Sequence, residues 1–304
     1  MSYRIVVKMI PKIIHYCWFG RNPLPELAQR CIASWRKYLP DYEVWQWSEE
    51  TLNANDNPRS ATTGDACRAK RGKNVNDECL FDKRVEFDVN MIPYTAEAYR
   101  KGKYAFVSDY ARFWILYKYG GLYFDTDVEV ICPMDDIIVK GAFMGFETDP
   151  DGENSPLKYP PRYAYSVAVG LGCGFEPENE FVRKMMDIYG SIEFVEADKS
   201  MKISLKYKNI VAYTMDVLMA NGLQDRHGIQ ELMGITIYPS EYFAPINVVS
   251  GRLHITSNTR SIHRYTGTWV TPGKKTIKDY VQRILPEWVL LVINRIKRRK
   301  NRLK

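Results

Sequence analysis

The stretch KYGGLYFDTDVEV, Lys118–Val130, restricts the fold more than any other part of the chain. A helical apolar run, SDYARFWILYKY, leads into it. Ala111, Trp114, Ile115 and Tyr119 fall on one face of that helix, with Ser108 as its predicted cap. Gly120–Gly121 stop the helix, because glycine readily takes the left-handed conformation its exit requires. LYF then reads as a short strand, and Asp125 and Asp127 stand at its end. A helix entering the turn and a strand leaving it run back side by side. Asp125 therefore comes beside the helix's N-terminal half, where Asp109 and Arg112 project together at i, i+3. Two carboxylates one residue apart repel each other, so the pattern calls for a positive charge.

The remainder of the chain reads as α/β. KIIHYCW, Lys12–Trp18, is a buried strand; Pro23 and Pro25 open a helix with Leu27, Cys31, Trp35 and Leu39 on one face; YEVWQW is a second strand. Strand, helix, strand predicts a mainly parallel central sheet flanked by helices. Further strands are expected at 128–131, 142–147 and 164–172 and late in GITIYP and RSIHRYT, with helices at 178–190 and 210–221. Residues 51–84 are rich in Asn, Asp, Lys, Arg and Gly without apolar period, and read as an inserted surface loop. The expected organisation is one domain over 1–275 and a tail over 276–304.

The net charge of +7 resides in that tail, because the last ten residues, RIKRRKNRLK, hold seven Lys or Arg and no acid. The other residues balance to zero, which argues against a nucleic-acid face. In EWVLLVINRIKRRKNRLK a short apolar run precedes the cationic block. It is too short to span a bilayer and suits either a helix lying on an anionic membrane surface or a frayed, solvated C-terminus, with peripheral attachment the expectation. The six cysteines form no CxxC pair and read as reduced thiols. The N-terminal residues do not form a signal peptide, and no segment reaches the ~20 apolar residues of a membrane span. The expected location is cytoplasmic, peripheral at the inner face of the plasma membrane.

Oxygen ligands at a strand end suit Mg²⁺ or Mn²⁺, ions that complete their shell with phosphate oxygens and so point to a nucleoside diphosphate. In a sugar nucleotide the diphosphate is the leaving group, and a bound cation neutralises the charge that grows on it. Asp-x-Asp by itself is weak evidence: a second copy, Asp149–Asp151 in TDPDGEN, reads as an ordinary turn. Haloacid-dehalogenase-type phosphatases also place Asp-x-Asp after an apolar strand. They carry Thr or Val where this chain has Glu129, and their motif lies on the first strand of the domain.

In order along the chain, IPKIIHYCWFG, YAFVSDYARFWILYKYGGLYFDTDVEV, GLGCGFE and SIHRYTGTW resemble glycosyltransferase family thirty-two. These DXD-motif sugar transferases include bacterial capsular polysaccharide transferases, yeast outer-chain mannosyltransferases and, more distantly, the clostridial glucosylating toxins. The resemblance implies a GT-A-type α/β domain, a retaining reaction, and Mn²⁺ or Mg²⁺. It implies that Asp127 ligates the metal and that Asp125 contacts the ribose, or the metal through water. Asp109 and Arg112 would bind the donor sugar, Trp18 would stack on the base, and Tyr123 would face the donor. His263 would be a further metal ligand or diphosphate contact, with Trp269 closing over the phosphates. His15 reads as a core residue, and His227 and His254 carry no signal. The chain departs from the family in the 51–84 insertion and in Arg264, where a second His is common. The implied function is hexose transfer from a UDP- or GDP-sugar to a saccharide or lipid-linked oligosaccharide acceptor, in capsule, lipopolysaccharide or exopolysaccharide assembly. The alternative is a catalytically silent nucleotide-sugar-binding or scaffold protein at the membrane surface.

Overall fold

The structure is a computed structural model that describes residues 9–49, 87–150, 165–195, 208–247 and 250–266. The 51–84 segment, Asp151, Trp269 and the 276–304 tail lie outside the described residues.

The first unit is β1 (Ile13–Cys17), α1 (Glu26–Tyr38) and β2 (Glu43–Trp47), with the two strands parallel and Ile13 opposite Glu43. Every residue of β1 is buried, as a central strand covered on both faces must be. Its side chains alternate: Ile13 and Cys17 enter one core, Ile14 and Tyr16 the other. Between them His15 is fully buried and satisfied, as expected. The Trp47 indole N–H donates to its Nδ1 at 3.1 Å, which sets the proton on Nε2, 2.9 Å from the Gly120 carbonyl.

Next come α2 (Pro93–Arg100), α3 (Tyr104–Tyr119), β3 (Gly121–Tyr123), β4 (Val128–Val130), α4 (Asp135–Ile138) and β5 (Phe143–Thr148). They are followed by β6 (Ser166–Ala168), β7 (Cys173–Phe175), α5 (Glu180–Ser191), α6 (Ile210–Ala220), β8 (Gln230–Leu232), β9 (Ile235–Tyr238) and β10 (Ser261–His263). The main sheet has the order β2-β1-β3-β7-β5-β9-β8, with β6 also on β5. β1, β2, β3, β5 and β9 share one direction and β6, β7 and β8 oppose it, so the sheet is mainly parallel, as predicted. One core lies between the sheet and α2, α3, α5 and α6. The other lies on the opposite face, under α1 and the small β4–β10 sheet. Trp35 of α1 is completely buried there and donates its indole N–H to the Val128 carbonyl at 2.7 Å.

Three expectations are corrected. The helix predicted to start at Ser108 starts four residues earlier, and the Ser108 hydroxyl donates back to the Tyr104 carbonyl at 3.2 Å. No side chain caps α3; it is buried around most of its circumference, with Trp114 and Tyr119 only half-buried, so packing holds it instead of a cap. The strand predicted over 164–172 is broken by a tight turn at Val169–Leu171, after which Gly172 leaves at φ +119°. The predicted helices over 178–190 and 210–221 are α5 and α6, and Asn179 and Asn209 cap them by accepting backbone N–H bonds.

The double glycine has the role predicted for it. Gly120 and Gly121 adopt φ of +63° and +99°, and a Cβ on Gly121 would stand 2.6 Å from the Ile13 carbonyl oxygen. Gly121→Ala is expected to destabilise the fold by at least about 2 kcal/mol, through combined strain and steric overlap. Thermal or denaturant unfolding of the variant checks this, and unchanged stability would contradict it.

Candidate functional site

The return of β3 against α3 brings a row of charged side chains together. Arg112, 5% exposed, donates from Nη2 to Asp109 Oδ1 at 3.0 Å and from Nε to the Ser108 carbonyl at 3.1 Å. Its Nη1 lies 3.3 Å from Asp125 Oδ1, so one guanidinium joins the helix carboxylate to the first carboxylate of the pair. Beneath it lies the Tyr123 ring, 4.8 Å from the guanidinium to the ring centroid. Burial pushes Asp109 up to about 7 against the pull of Arg112, and the charge of Asp125 adds to the rise. Asp125 is also raised, burial outweighing Arg112.

Asp127 is held differently. Its Oδ1 is 3.2 Å from His263 Nε2, and its Oδ2 accepts from both the backbone N–H and the hydroxyl of Thr266, at 2.9 and 2.8 Å. Burial works against its ionisation, yet these donors outweigh burial and hold the carboxyl well below the usual range. For His263 burial disfavours the imidazolium, while Asp127 foremost, with Asp125 and Glu147, lifts its pKa. The chain folds this way locally because β10 pairs antiparallel with β4, setting His263 opposite Val128. The Arg264 N–H then donates to the Asp127 carbonyl at 2.9 Å, while the Arg264 guanidinium pairs with Glu129.

Asp125, Asp127 and His263 can each offer one ligand atom, all within 4.8 Å of one another. Two carboxylates and an imidazole form a donor set that fits a divalent ion. His263 Nδ1 is buried without a partner. Gly170 closes the floor: its carbonyl accepts from the Asp125 N–H at 3.3 Å, and a Cβ there would overlap the Asp125 carboxylate.

Five expected site residues, Asp109, Arg112, Asp125, Asp127 and His263, thus form one connected network. Tyr123 is 1% exposed and packs its ring beneath the Arg112 guanidinium. Trp18 is half-buried just beyond β1, its indole N–H donating to the Asn22 carbonyl at 2.6 Å. Trp269 lies outside the described residues. Asp149 of the second Asp-x-Asp accepts from the N–H and hydroxyl of Ser240, a structural bond. Cys17, Cys31, Cys132 and Cys173 are free thiols. The sequence reading missed Thr266, Gly170 and Glu147. The GLGCG run was a visible signal for Gly170, whereas nothing local marked the other two.

Residues 25–144 match the family described as glycosyltransferase sugar-binding region containing DXD motif. Inositol phosphoceramide mannosyltransferase 1 of Schizosaccharomyces pombe is 27% identical over 149 residues, covering 48% of this chain and 37% of that protein. Inositol phosphoceramide mannosyltransferase 3 of the same organism is 30% identical over 146 residues, covering 47% and 31%. The chain therefore spans about a third of the length of these curated relatives. Among solved structures, the PaToxG glycosyltransferase is similar at a TM-score of 0.34 and 18% identity, over 59% of each chain.

Gly170→Ala keeps an allowed backbone but forces the Asp125 carboxylate away from Arg112. The variant is expected to fold with a stability loss of about 1–3 kcal/mol from overpacking and with the Arg112–Asp125 contact broken. A crystal structure of the variant with that contact intact would refute this.

Proposed function

We propose that this chain, a glycosyltransferase of the DXD-motif family, moves a hexose from a nucleoside-diphosphate sugar to a saccharide acceptor with a divalent ion, Mn²⁺ or Mg²⁺, at Asp125, Asp127 and His263. The observation that carries this reading is the convergence of those three side chains, from two separate strand ends, on one point beside a buried arginine. Bound there, the ion would neutralise the charge growing on the departing diphosphate.

The chain's own residues prepare that event. Asp127 is kept ionised by Thr266 and His263, so it is ready as a ligand without a proton to lose. Arg112 is locked in place by Asp109, the Ser108 carbonyl and Asp125, so its charge acts without reorganisation. In this reading Asp109 and Arg112 contact the donor sugar, Asp125 also reaches the ribose, and Trp18 stacks on the base. Trp269 would close over the phosphates.

The names of the fission-yeast relatives put mannose first among the hexoses to test. Retention of configuration and a role in bacterial capsule, lipopolysaccharide or exopolysaccharide assembly complete the reading, with a saccharide or lipid-linked oligosaccharide as acceptor. No helix among the described residues is long and apolar enough to cross a membrane. Attachment to the inner face of the plasma membrane is assigned to the 276–304 tail by its sequence alone. A silent binding or scaffold protein would have no need of five intact charged residues in register, which disfavours the alternative.

Asp127→Asn is expected to fold normally yet lose transfer and donor hydrolysis by at least roughly 100-fold. Chelation of the wild type should do the same, with activity restored by Mn²⁺. A thermal-shift screen of UDP- and GDP-sugars with and without Mn²⁺ would identify the donor, and full activity in the presence of chelator would rule out the ion. Deleting residues 287–304 should move the protein from membrane to soluble fractions, and unchanged fractionation would disprove the role of the tail.

A further inference from the structure

Glu147, near the end of β5, has no part in the reaction scheme above. Side chains 143 and 145 of that strand point to one face of the sheet, and the pairing of β5 with β6 shifts register between Phe146 and Thr148, at Glu147 itself. Phe143 packs on the Phe243 ring with centroids 5.7 Å apart, and Gly145 lies so close that a Cβ would overlap the same ring. The His263 N–H donates to the Phe243 carbonyl at 3.1 Å. On β6, Val167 enters one core and Ala168 the other, so Ser166 faces the Ala168 side with Phe143 and Phe243. Its bond to Glu147 draws the carboxylate to the side of the sheet on which β10 carries His263.

The carboxylate is sparsely satisfied. Oε2 accepts from the Ser166 hydroxyl at 3.2 Å, and that hydroxyl is 2.9 Å from the Thr148 hydroxyl. Among the described residues no Lys or Arg pairs with Glu147 and nothing donates to its Oε1. The charged group that acts on it is His263. Arg112 interacts instead with Asp125, Tyr123, Asp109 and Cys17. The charged row therefore runs from Asp109 through Arg112 and Asp125 to Asp127 with His263, whose charge Glu147 feels, and among the described residues one Glu147 oxygen has no donor.

The sheet order gives that oxygen a direction. β1, with Trp18 beyond it, lies on one side of β3, and β5 lies two places away on the other. A nucleotide sugar with its base toward β1 and its diphosphate at Asp127 extends its sugar end toward β5. A half-buried carboxylate backed by a single hydroxyl suits hydrogen-bond donors that carry no charge, and sugar hydroxyls are such donors.

We infer that Glu147 binds a sugar hydroxyl at the transfer centre, its free oxygen accepting the bond from the donor hexose or from the acceptor saccharide. The inference rests on the glycosyltransferase reading. Glu147→Gln in the full chain tests it, because glutamine keeps the size and can still accept from Ser166. Unfolding and the thermal shifts given by Mn²⁺ with UDP and with GDP are measured first. Hydrolysis of the UDP- or GDP-hexose that shifts the wild type most, and its transfer to methyl α-mannoside and methyl α-glucoside, follow. The expected result is a Mn²⁺–nucleotide shift equal to wild type, a smaller extra shift from the sugar nucleotide over the bare nucleotide or an unchanged one, and turnover lower by roughly 10- to 100-fold. Loss in both hydrolysis and transfer assigns the hydroxyl to the donor; loss in transfer alone assigns it to the acceptor. Turnover within twofold of wild type overturns the inference, and so does a Mn²⁺–nucleotide shift lost along with turnover, which would make Glu147 part of the ion site. A wild type with no Mn²⁺–nucleotide shift overturns the parent reading itself.

Discussion

One buried guanidinium organises this protein. Arg112 sits on a helix embedded in the larger core and is almost sealed from solvent. Such a charge is tolerated only when it is paired, since removing a partner from a buried ion pair costs about 3–5 kcal/mol. Asp109 supplies one partner from the same helix and Asp125 the other from the strand that returns beside it. The requirement fixes the geometry of the turn between them. Gly120 and Gly121 take left-handed conformations, His15 of the neighbouring strand reaches the Gly120 carbonyl, and β3 is drawn tightly between β1 and β7.

From that anchor the two aspartates acquire opposite characters, although one residue separates them. Asp125 faces Arg112 and Gly170 in a half-buried corner, and partial desolvation raises its pKa. Asp127 points across to the end of β10 and the residues after it, where His263 and Thr266 donate to its two oxygens and favour its charged form. The pair is therefore not a symmetric chelate. One acid is tied to the arginine side and the other to the histidine side. α1 steadies this arrangement, since Trp35 bonds to the carbonyl of Val128, the next residue after Asp127.

Much of this was legible in the sequence because it is local. An i, i+3 pair on a helix, a double glycine and an apolar tripeptide need no long-range information to place Asp109 and Arg112 beside Asp125. The start of α3 was misread because Ser108 has a capping side chain but sits inside a helix stabilised by burial. The strand over 164–172 was misread because its apolar residues have no way to signal the turn at Val169–Leu171 that presses Gly170 against Asp125.

The sequence by itself determined the α/β class, the turn from helix to strand and the identity of the acids at its end, because each follows from backbone preferences and spacing within some twenty residues. Tertiary structure alone decided which groups complete the site. Thr266, Gly170 and Glu147 come from three different segments, and only the pairing of β10 with β4 and the packing of β5 and the 169–171 turn around β3 bring them to the aspartates. Contacts between residues so distant in sequence are fixed by how the sheet and the two cores close, a condition that no short stretch of chain encodes.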